Sequence, residues 1–345
     1  MEDLKVLDIA ARIADDVLFP AALSVEAADT VPASHLDRLA EAGFYGLAGP
    51  PELTPLDVPD FAAACRVVEV LAGGCLSTTF VWAQHHSAVM AVAFGPNEQI
   101  RERWLEPLCT GRRRAGLSLG SAVRKGPPPL RATAVDGGYR FDGEASWVTG
   151  WGLVDTLYAA GRDENEMLVW ALLDATECDT MTVRPLRMVA LNSTRTVHVT
   201  FDNHFVPADR VAAVLPHAAW LERDAGNLRF NGSFSLGVAA RCLRLRGPSR
   251  LDAELERCRT ALAEAPPEEL PAARAAASEF VLRAAAALVA SVGSRAVLLE
   301  EHAQRLLREA TFLLVFGARP AIREALLERL DSAQPAGGAA GVLST

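Results

Sequence analysis

Cysteine is scarce in this sequence, and its pattern excludes several classes of protein. The 345 residues contain six cysteines that stand apart from one another, with no Cys-X-X-Cys pair. None is spaced with histidine as in a zinc site, so no metal site is predicted, and nothing resembles a disulfide framework. Reduced, mostly buried thiols are therefore expected. The cysteines are Cys65, Cys75, Cys109, Cys178, Cys242 and Cys258.

Long apolar runs and an excess of positive charge are also absent. The first residues mix charged and apolar side chains, unlike a secretory leader, which favours a cytoplasmic protein. The apolar window Ala284–Val292 lies between Arg283 and Arg295 and is shorter than the roughly 20 residues of a membrane span, so no membrane partner is predicted. The formal net charge of -9 argues against a nucleic-acid partner. The basic run Arg112–Arg114 is interpreted as a solvated turn, with a contact to a phosphorylated ligand as the alternative.

The spacing of the apolar residues changes twice along the chain. It is helical up to about residue 110, for example in the buried stretches Asp60–Leu71 and Leu76–Phe94, which Gly73-Gly74 separates. From Arg114, short runs rich in β-branched and aromatic residues alternate with turn signals, and after Pro207 the helical period returns. These changes predict an N-terminal α-helical domain over 1–113, a middle β domain over 114–213, a C-terminal four-helix bundle over 214–331 and a flexible tail over 332–345.

The middle segment predicts antiparallel strands in a small barrel or sandwich, because their irregular spacing does not fit alternating strands and helices. No glycine fingerprint for dinucleotide binding follows a strand, so a Rossmann site is not predicted. The C-terminal segment predicts four long helices in an antiparallel bundle. These helices are Gly226–Gly247, Ser249–Ala263, Pro271–Leu299 and Ala303–Leu330.

Four stretches of the chain share the pattern of one protein family. LDRLAEAGFYG at Leu36–Gly46 is similar to an early helix and turn, and FGPNEQIRERWLEPLCTG at Phe94–Gly111 is similar to "FGteeQkekyLpkLasG". GYRFDGEASWVT at Gly138–Thr149 resembles the strand pair "y.lnG.K.wiT", and VTFDNHFVPADR at Val199–Arg210 resembles "v.FddvrVPaenl". The chain thus resembles the acyl-CoA dehydrogenases over nearly its whole length. The resemblance implies an α+β fold of N-terminal helices, a middle antiparallel β-barrel or sandwich and a C-terminal four-helix bundle.

The resemblance implies FAD as the cofactor. The Trp and Thr of "wiT" lie against the flavin in this family, and they are Trp147 and Thr149 here, while Leu117 and Ser118 resemble the "vTEP" segment that hydrogen-bonds the ring. The chain departs from the pattern where SLGSAVRKGPPP replaces "TEPgaGSD", and the "RxxFG" that reaches a neighbour's FAD is missing from Ala239–Arg250. Without the resemblance, Trp147 would be interpreted as a core strand residue and Ser118 as a turn residue.

The resemblance also implies where the family's catalytic base should lie. AQRLLREA at Ala303–Ala310 resembles the "aerlmRDA" that precedes a Tyr-Glu-Gly-Thr turn, which reads Phe-Gly-Ala-Arg here. Gly317 therefore replaces the glutamate that removes the α-proton of the acyl thioester. Other members carry the base near the start of the first bundle helix, at approximately Asn227, and neither glycine nor asparagine can serve. A shift of a few residues would bring Glu222 or Asp224 there instead.

Other polar residues have structural interpretations. His85 and His86 could act beside a flavin as neutral imidazoles, but both are interpreted as satisfied helix residues. Arg305 is predicted to pair with Glu301 or Glu309, each four positions away.

Three functions fit these residues. The first is an acyl-CoA dehydrogenase-like flavoprotein of lipid metabolism, an oxidoreductase acting on the CH-CH group of an acyl thioester, with the base missing or lent by a partner subunit. The second is a flavin-dependent monooxygenase of the same fold, and the third is a non-catalytic assembly subunit of a heteromeric acyl-CoA dehydrogenase. The predicted partners are an acyl thioester of CoA or of a carrier protein, and either a second copy or a second family member. Association is expected because bundle helices, notably Ala275–Val292, are apolar on more than one face.

Overall fold

The computed structural model describes residues 5–124, 126–223 and 225–332. Helices come first, from Lys5 to Cys109, strands follow from Ala115 to Pro216, and helices return from His217 to Asp331. This order is the α+β arrangement that the sequence predicts. The domain limits stay predictions, and all but the first residue of the predicted tail, 332–345, lies outside the described residues.

The N-terminal helices pack around apolar stripes whose starts are fixed by capping side chains. Asp60 accepts a hydrogen bond from the backbone N–H of Ala63 at 2.7 Å, and Asn97 accepts one from Ile100 at 3.1 Å, so two helices begin where the chain supplies a cap. A π-helical turn over Ala14–Leu18 joins the first two helices. The helices are α1 (Lys5–Ile13), α2 (Phe19–Ala27), α3 (Ala33–Glu41), α4 (Phe61–Gly74), α5 (Leu76–Ala83), α6 (His86–Phe94) and α7 (Glu98–Cys109).

The middle segment forms one mixed sheet of eight strands, with the short helix α8 (Gly120–Val123) after the first strand. The strands are β1 (Ala115–Ser118), β2 (Leu130–Val135), β3 (Gly138–Val148), β4 (Thr156–Arg162), β5 (Met167–Asp174), β6 (Met181–Pro185), β7 (Val197–Pro207) and β8 (Val211–Pro216). Their order is β6-β7-β3-β2-β4-β5-β8, with β1 beside β4. The expectation of a wholly antiparallel unit is wrong in one respect, because β4 pairs in parallel with β1 and β2.

Strand β4 is buried along its whole length because it separates two apolar cores. Leu157 and Ala159 face a core inside the sheet, whereas Tyr158 and Ala160 pack with residues of α6 and α7. The helices before the sheet therefore cover one of its faces.

The C-terminal helices are α9 (His217–Arg223), α10 (Ala225–Arg246), α11 (Leu251–Glu264), α12 (Leu270–Val292), α13 (His302–Val315) and α14 (Pro320–Asp331). The predicted single helix Ala303–Leu330 is wrong, since α13 ends at Val315 and α14 begins after Arg319. Gly317 between them has φ +62°, a left-handed conformation that ends a helix. The break exposes the turn that the sequence analysis singled out.

Helix α12 lies at the centre of the bundle, against α10, α11, α13 and α14. By length and composition, the stretch Leu270–Val297 is the one helix among the described residues that is long and apolar enough to cross a membrane. Only 44% of its most apolar window is buried in this chain. A core helix of a bundle has the same composition, so the absence of a membrane partner stays a prediction.

Candidate functional site

The start of β1 lies close to the residue that follows β3. An added Cβ on Gly116 of β1 would lie 3.0 Å from the carbonyl oxygen of Thr149, which follows β3, so this close approach needs glycine. Leu117 and Ser118 continue β1 from that point, and β1 contacts β3 directly. The structure therefore places these residues in the same region as Trp147 and Thr149.

Trp147 occupies an unusual position at the end of β3. Its φ of 66° is left-handed, which is rare for a bulky residue. The pairing of β3 with β7 is irregular between Ala145 and Val148, and the indole is 63% exposed. The alternative of a core strand aromatic is therefore wrong, and strain with exposure is typical of a binding position.

Thr149 belongs to a chain of three hydrogen-bonded threonine hydroxyls, in which the donor and the acceptor of each hydrogen bond can be assigned. The Thr194 hydroxyl donates to the carbonyl oxygen of Leu191 at 2.7 Å, and it lies 2.9 Å from the hydroxyl of Thr196. The Thr196 hydroxyl in turn lies 3.0 Å from that of Thr149. Since each hydroxyl has one proton, Thr196 donates to Thr194 and Thr149 donates to Thr196. The Thr149 oxygen is left with acceptor capacity only.

Helix α5 and the bundle form the other side of this region. An added Cβ on Gly150, at φ +91°, would lie 3.5 Å from Cγ1 of Val81. The neighbouring Phe80 contacts three phenylalanines of the bundle at ring-centroid distances of 4.8 to 5.7 Å. We call these rings, with one more from α10, the aromatic cluster: Phe80, Phe230, Phe234, Phe312 and Phe316.

The turn after α13 lies against α10. An added Cβ on Gly317 would lie 3.3 Å from Nδ2 of Asn231, so glycine and a carboxamide face each other where the sequence analysis expects a base. Asn227 lies one turn earlier on the same helix and is exposed. Glu222 is also exposed, and Asp224, the other alternative for the base, lies outside the described residues.

Each buried carboxylate in the described residues forms an ion pair with an arginine. Glu69 pairs with Arg259, and Glu279 pairs with Arg283. Glu309 pairs with Arg305, which confirms one of the two predicted partners, and its neighbours include Glu26 of α2 rather than the Gly317 turn. The described residues therefore offer no unpaired buried carboxylate as a base.

Comparison with known proteins points to one family. Residues 2–112 match the family described as acyl-CoA dehydrogenase, N-terminal domain. A benzylmalonyl-CoA dehydrogenase of Aromatoleum aromaticum is 28% identical over 223 residues, which are 60% of this chain and 56% of that relative, so the match spans about half of its length. The butyryl-CoA dehydrogenase of Megasphaera elsdenii has a similar fold, with a TM-score of 0.81 at 16% identity over 94% of this chain and 97% of that one. The structure of PigA with FAD and proline has a TM-score of 0.78 at 17% identity over 95% of this chain and 97% of that one.

The chain has the fold of the acyl-CoA dehydrogenases, and its residues 2–112 match their N-terminal domain. It has a glycine at the turn between its last two bundle helices and asparagines on α10. The TM-scores of 0.81 and 0.78 establish the shared fold, and at identities of 16% and 17% these structures show the fold alone.

The two adjacent histidines on the N-terminal side of α6, His85 and His86, differ in their hydrogen bonding. His85 is satisfied, because Nδ1 accepts from the N–H of Ala115 at 3.0 Å and Nε2 donates to the carbonyl oxygen of Leu108 at 3.1 Å. Burial lowers the pKa of His85 to about 3. His86 is equally buried, yet neither of its nitrogens has a partner among the described residues. The interpretation as two satisfied helix residues is therefore wrong for His86.

Sequence reasoning missed Arg274, which holds the end of α13. The guanidinium is fully buried, and it donates to Ser278 and to the carbonyl oxygens of Leu313 at 3.4 Å and Phe316 at 3.3 Å. Burial lowers the pKa of Arg274 to about 10. The arginine satisfies carbonyls that the end of the helix leaves free, and it thereby fixes the turn at Gly317. The sequence of α12, which is rich in alanine and also contains Arg283, does not indicate this role for Arg274.

Arg162 holds the segment that replaces the family's "TEPgaGSD". This buried arginine donates to the carbonyl oxygens of Arg124 and Gly126 and to Nδ1 of His217 at 2.7 Å. Nε2 of His217 donates to the carbonyl oxygen of Ala122 at 2.7 Å. The loop is thus anchored by interactions of its backbone, which its divergent side chains do not disturb.

The residues present fit one side of a flavin ring. The Ser118 hydroxyl makes no hydrogen bond within the described part of the chain, and the Thr149 oxygen can still accept one. The exposed indole of Trp147 supplies an aromatic surface. Gly116 and Gly150 keep the backbone close on that side. The isoalloxazine ring has both hydrogen-bond donors and acceptors on its edge, so it can bind to these two hydroxyl groups and this indole.

Proposed function

We propose that this chain is a subunit of an oxidoreductase that acts on the CH-CH group of an acyl thioester, and that it binds FAD while a second subunit supplies the base. One observation carries the proposal: the Gly317 turn faces Asn231, although the surrounding fold is that of an acyl-CoA dehydrogenase. The relatives named benzylmalonyl-CoA dehydrogenase and butyryl-CoA dehydrogenase support a CoA thioester as the substrate class. A carrier-protein thioester offers the same reacting group.

FAD would be held by the residues at the meeting of β1 and β3. Ser118 would donate its free hydroxyl, Thr149 would accept, Trp147 would cover the ring, and Leu117 would pack beneath it. When bound, FAD supplies the acceptor for the hydride that leaves the β-carbon. The relative PigA, whose structure contains FAD, supports this cofactor.

Removal of the α-proton needs an ionisable group that this chain lacks at both family positions. A carboxamide and a glycine do not titrate, and the buried carboxylates are held by arginines. A partner subunit with a carboxylate would complete the site. Helix α12 supports association, since less than half of its most apolar window is buried in a single chain.

The absorption spectrum of the purified chain, titrated with FAD and then with butyryl-CoA under anaerobic conditions, tests the proposal. We expect FAD to bind and to show the red shift and structure of a shielded flavin, and we expect butyryl-CoA to perturb this spectrum without bleaching it. Size-exclusion chromatography with light scattering on the same sample measures the oligomeric state. A chain that binds no FAD would contradict the cofactor assignment.

Other outcomes would favour the alternative functions. Bleaching by butyryl-CoA in the isolated chain would show that a base lies within this chain, contrary to the proposal. Oxygen uptake driven by NADPH and reduced flavin would favour the monooxygenase. The Trp147→Ala variant serves as the control for the flavin site, and we expect it to weaken FAD binding by about tenfold.

A further inference from the structure

We infer that His86 is a recognition residue for an uncharged hydrogen-bonding group, such as a hydroxyl or a carboxamide, on the acyl part of the substrate. The inference rests on the proposed function and narrows its substrate class. A plain hydrocarbon chain would leave the imidazole unsatisfied, whereas a functionalised acyl chain would satisfy it.

The hydrogen bonding of His86 sets it apart from the other histidines. The sequence has seven, and six of them have a polar partner: His35, His85, His198, His204, His217 and His302. His86 is 4% exposed, and both of its ring nitrogens are buried without a partner among the described residues. Buried polar groups are almost always hydrogen-bonded, so this side chain needs a partner from outside the described protein atoms.

The three rings in contact with His86 do not supply that partner. The ring of Trp82 lies at 4.5 Å between centroids, but its Nε1 donates to the carbonyl oxygen of Phe44 at 3.3 Å. The ring of His85 lies at 5.8 Å, and both of its nitrogens are already used. The third neighbour, Phe230 at 6.4 Å, has no polar atom on its side chain.

Phe230 connects His86 to the candidate site. Trp82 and His85 are buried, whereas Phe230 of α10 is only partly buried, so Phe230 is the ring neighbour with the most room to move. Phe230 contacts Phe234, which contacts Phe316 beside the Gly317 turn. A ligand that enters along the aromatic cluster therefore reaches the imidazole when the Phe230 ring moves aside.

The chemistry of His86 selects an uncharged group. Burial, with a smaller contribution from His85, lowers its pKa well below the usual value, so the ring is neutral near pH 7. A neutral imidazole has one N–H donor and one acceptor nitrogen. A hydroxyl or a carboxamide can both accept and donate. A carboxylate offers no donor and would be costly to bury between aromatic rings.

Binding of matched thioester pairs to the FAD-loaded chain tests the inference. Each pair joins a saturated acyl-CoA of four, six or eight carbons with its ω-hydroxy derivative, and calorimetry measures both dissociation constants. We expect the hydroxylated ligand to bind about tenfold more tightly at one chain length or more. The preference should disappear in His86→Leu and persist in part in His86→Gln, which keeps a donor and an acceptor.

Two results would overturn the inference while leaving the proposed function intact. Equal or tighter binding of the saturated thioester at every length is one, and an unchanged hydroxyl preference in His86→Leu is the other. If no thioester binds at all, both the inference and the proposed function fail. Thioester binding therefore distinguishes failure of the inference alone from failure of the proposed function.

Thermal unfolding of the ligand-free protein provides a second measurement. His86→Leu should raise the melting temperature by about 2 °C, because it removes a buried polar group without a partner. His85→Leu is the matched control and should lower it, since it breaks two hydrogen bonds. A decrease in both variants would show that His86 has a structural partner and would contradict the inference.

Discussion

Two arginines of α13 form ion pairs with glutamate side chains that are largely buried. Arg305 and Glu309 form an ion pair in which both side chains are almost fully buried, and Arg308 pairs with Glu26 of α2. Burial raises the pKa of Glu309 to about 7, and the nearby Glu26 adds to the effect, although Arg305 opposes it. One oxygen of each of these two carboxylates has no hydrogen-bond partner among the described residues.

The raised pKa of Glu309 predicts a pH-dependent stability. Between pH 4.5 and about 7, Glu309 holds its proton in the folded protein but loses it in the unfolded chain. Protonation of Glu309 therefore contributes fully to the free energy of unfolding below pH 4.5, and this contribution is lost as the pH rises to about 7. In urea titrations, the free energy of unfolding of the wild type minus that of Glu309→Gln should fall by up to about 3 kcal/mol between pH 4.5 and 7. A constant difference would show that Glu309 stays ionised throughout.

Residue-level predictions from the sequence succeed where the partner is local. The spacing of four positions predicts the pair Arg305–Glu309, and the structure confirms it. The roles of His86 and Arg274 could not be predicted, because His86 has no hydrogen-bond partner in the described part of the chain and Arg274 binds carbonyls 39 and 42 positions away. Such properties depend on how distant helices pack.

Glycines determine how closely two helices of the main core approach each other. An added Cβ on Gly73 of α4 would lie 3.0 Å from the carbonyl oxygen of Gly237 on α10, and one on Gly74 would lie 2.9 Å from Cα of Ala14. A Cβ on Gly237 would overlap the carbonyl oxygen of Glu69. The break between helices predicted at Gly73-Gly74 is confirmed, because α4 ends at Gly74 and α5 begins at Leu76. The two glycines close the last turn of α4 and also allow its close packing.

Two substitutions on α10 should have opposite effects on stability. Gly237→Ala should lower the free energy of unfolding by about 2 kcal/mol or more, because the new methyl group meets backbone rather than a movable side chain. Gly226→Ala on the same helix is the control, with no atom within 4 Å of the added Cβ, and should raise it by about 0.5–1 kcal/mol. Denaturant unfolding measures both, and equal effects would refute the packing argument.

Other elements follow the same division between local and distant causes. The start of α4 was predictable from its cap at Asp60, and the hairpin of β2 and β3 from Gly137, which has φ +76°. The parallel pairing of β4 was not, because sequence periodicity specifies which face of a strand is buried but not its neighbour.

At the scale of the whole molecule, the order of helices, sheet and bundle identifies the fold. The family match covers residues 2–112, which include two of the four quoted stretches. The candidate site lies between these parts. β1, β3 and the residue after β3 would supply the hydroxyls and the indole, α5 and α10 the aromatic rings, and the turn after α13 has Gly317. Family resemblance predicts which positions matter, whereas their surroundings, such as Asn231 opposite Gly317, appear only in the folded chain.

The central claim is that this chain holds a flavin and a thioester but lacks the base, and Gly317→Glu tests it most directly. The left-handed backbone costs the new residue about 1 kcal/mol, and the Asn231 carboxamide must move slightly. We expect anaerobic butyryl-CoA to bleach the flavin of Gly317→Glu slowly, while the wild type and Gly317→Ala stay yellow. Bleaching of the wild type, or no bleaching of a Gly317→Glu protein that binds both ligands, would contradict the account.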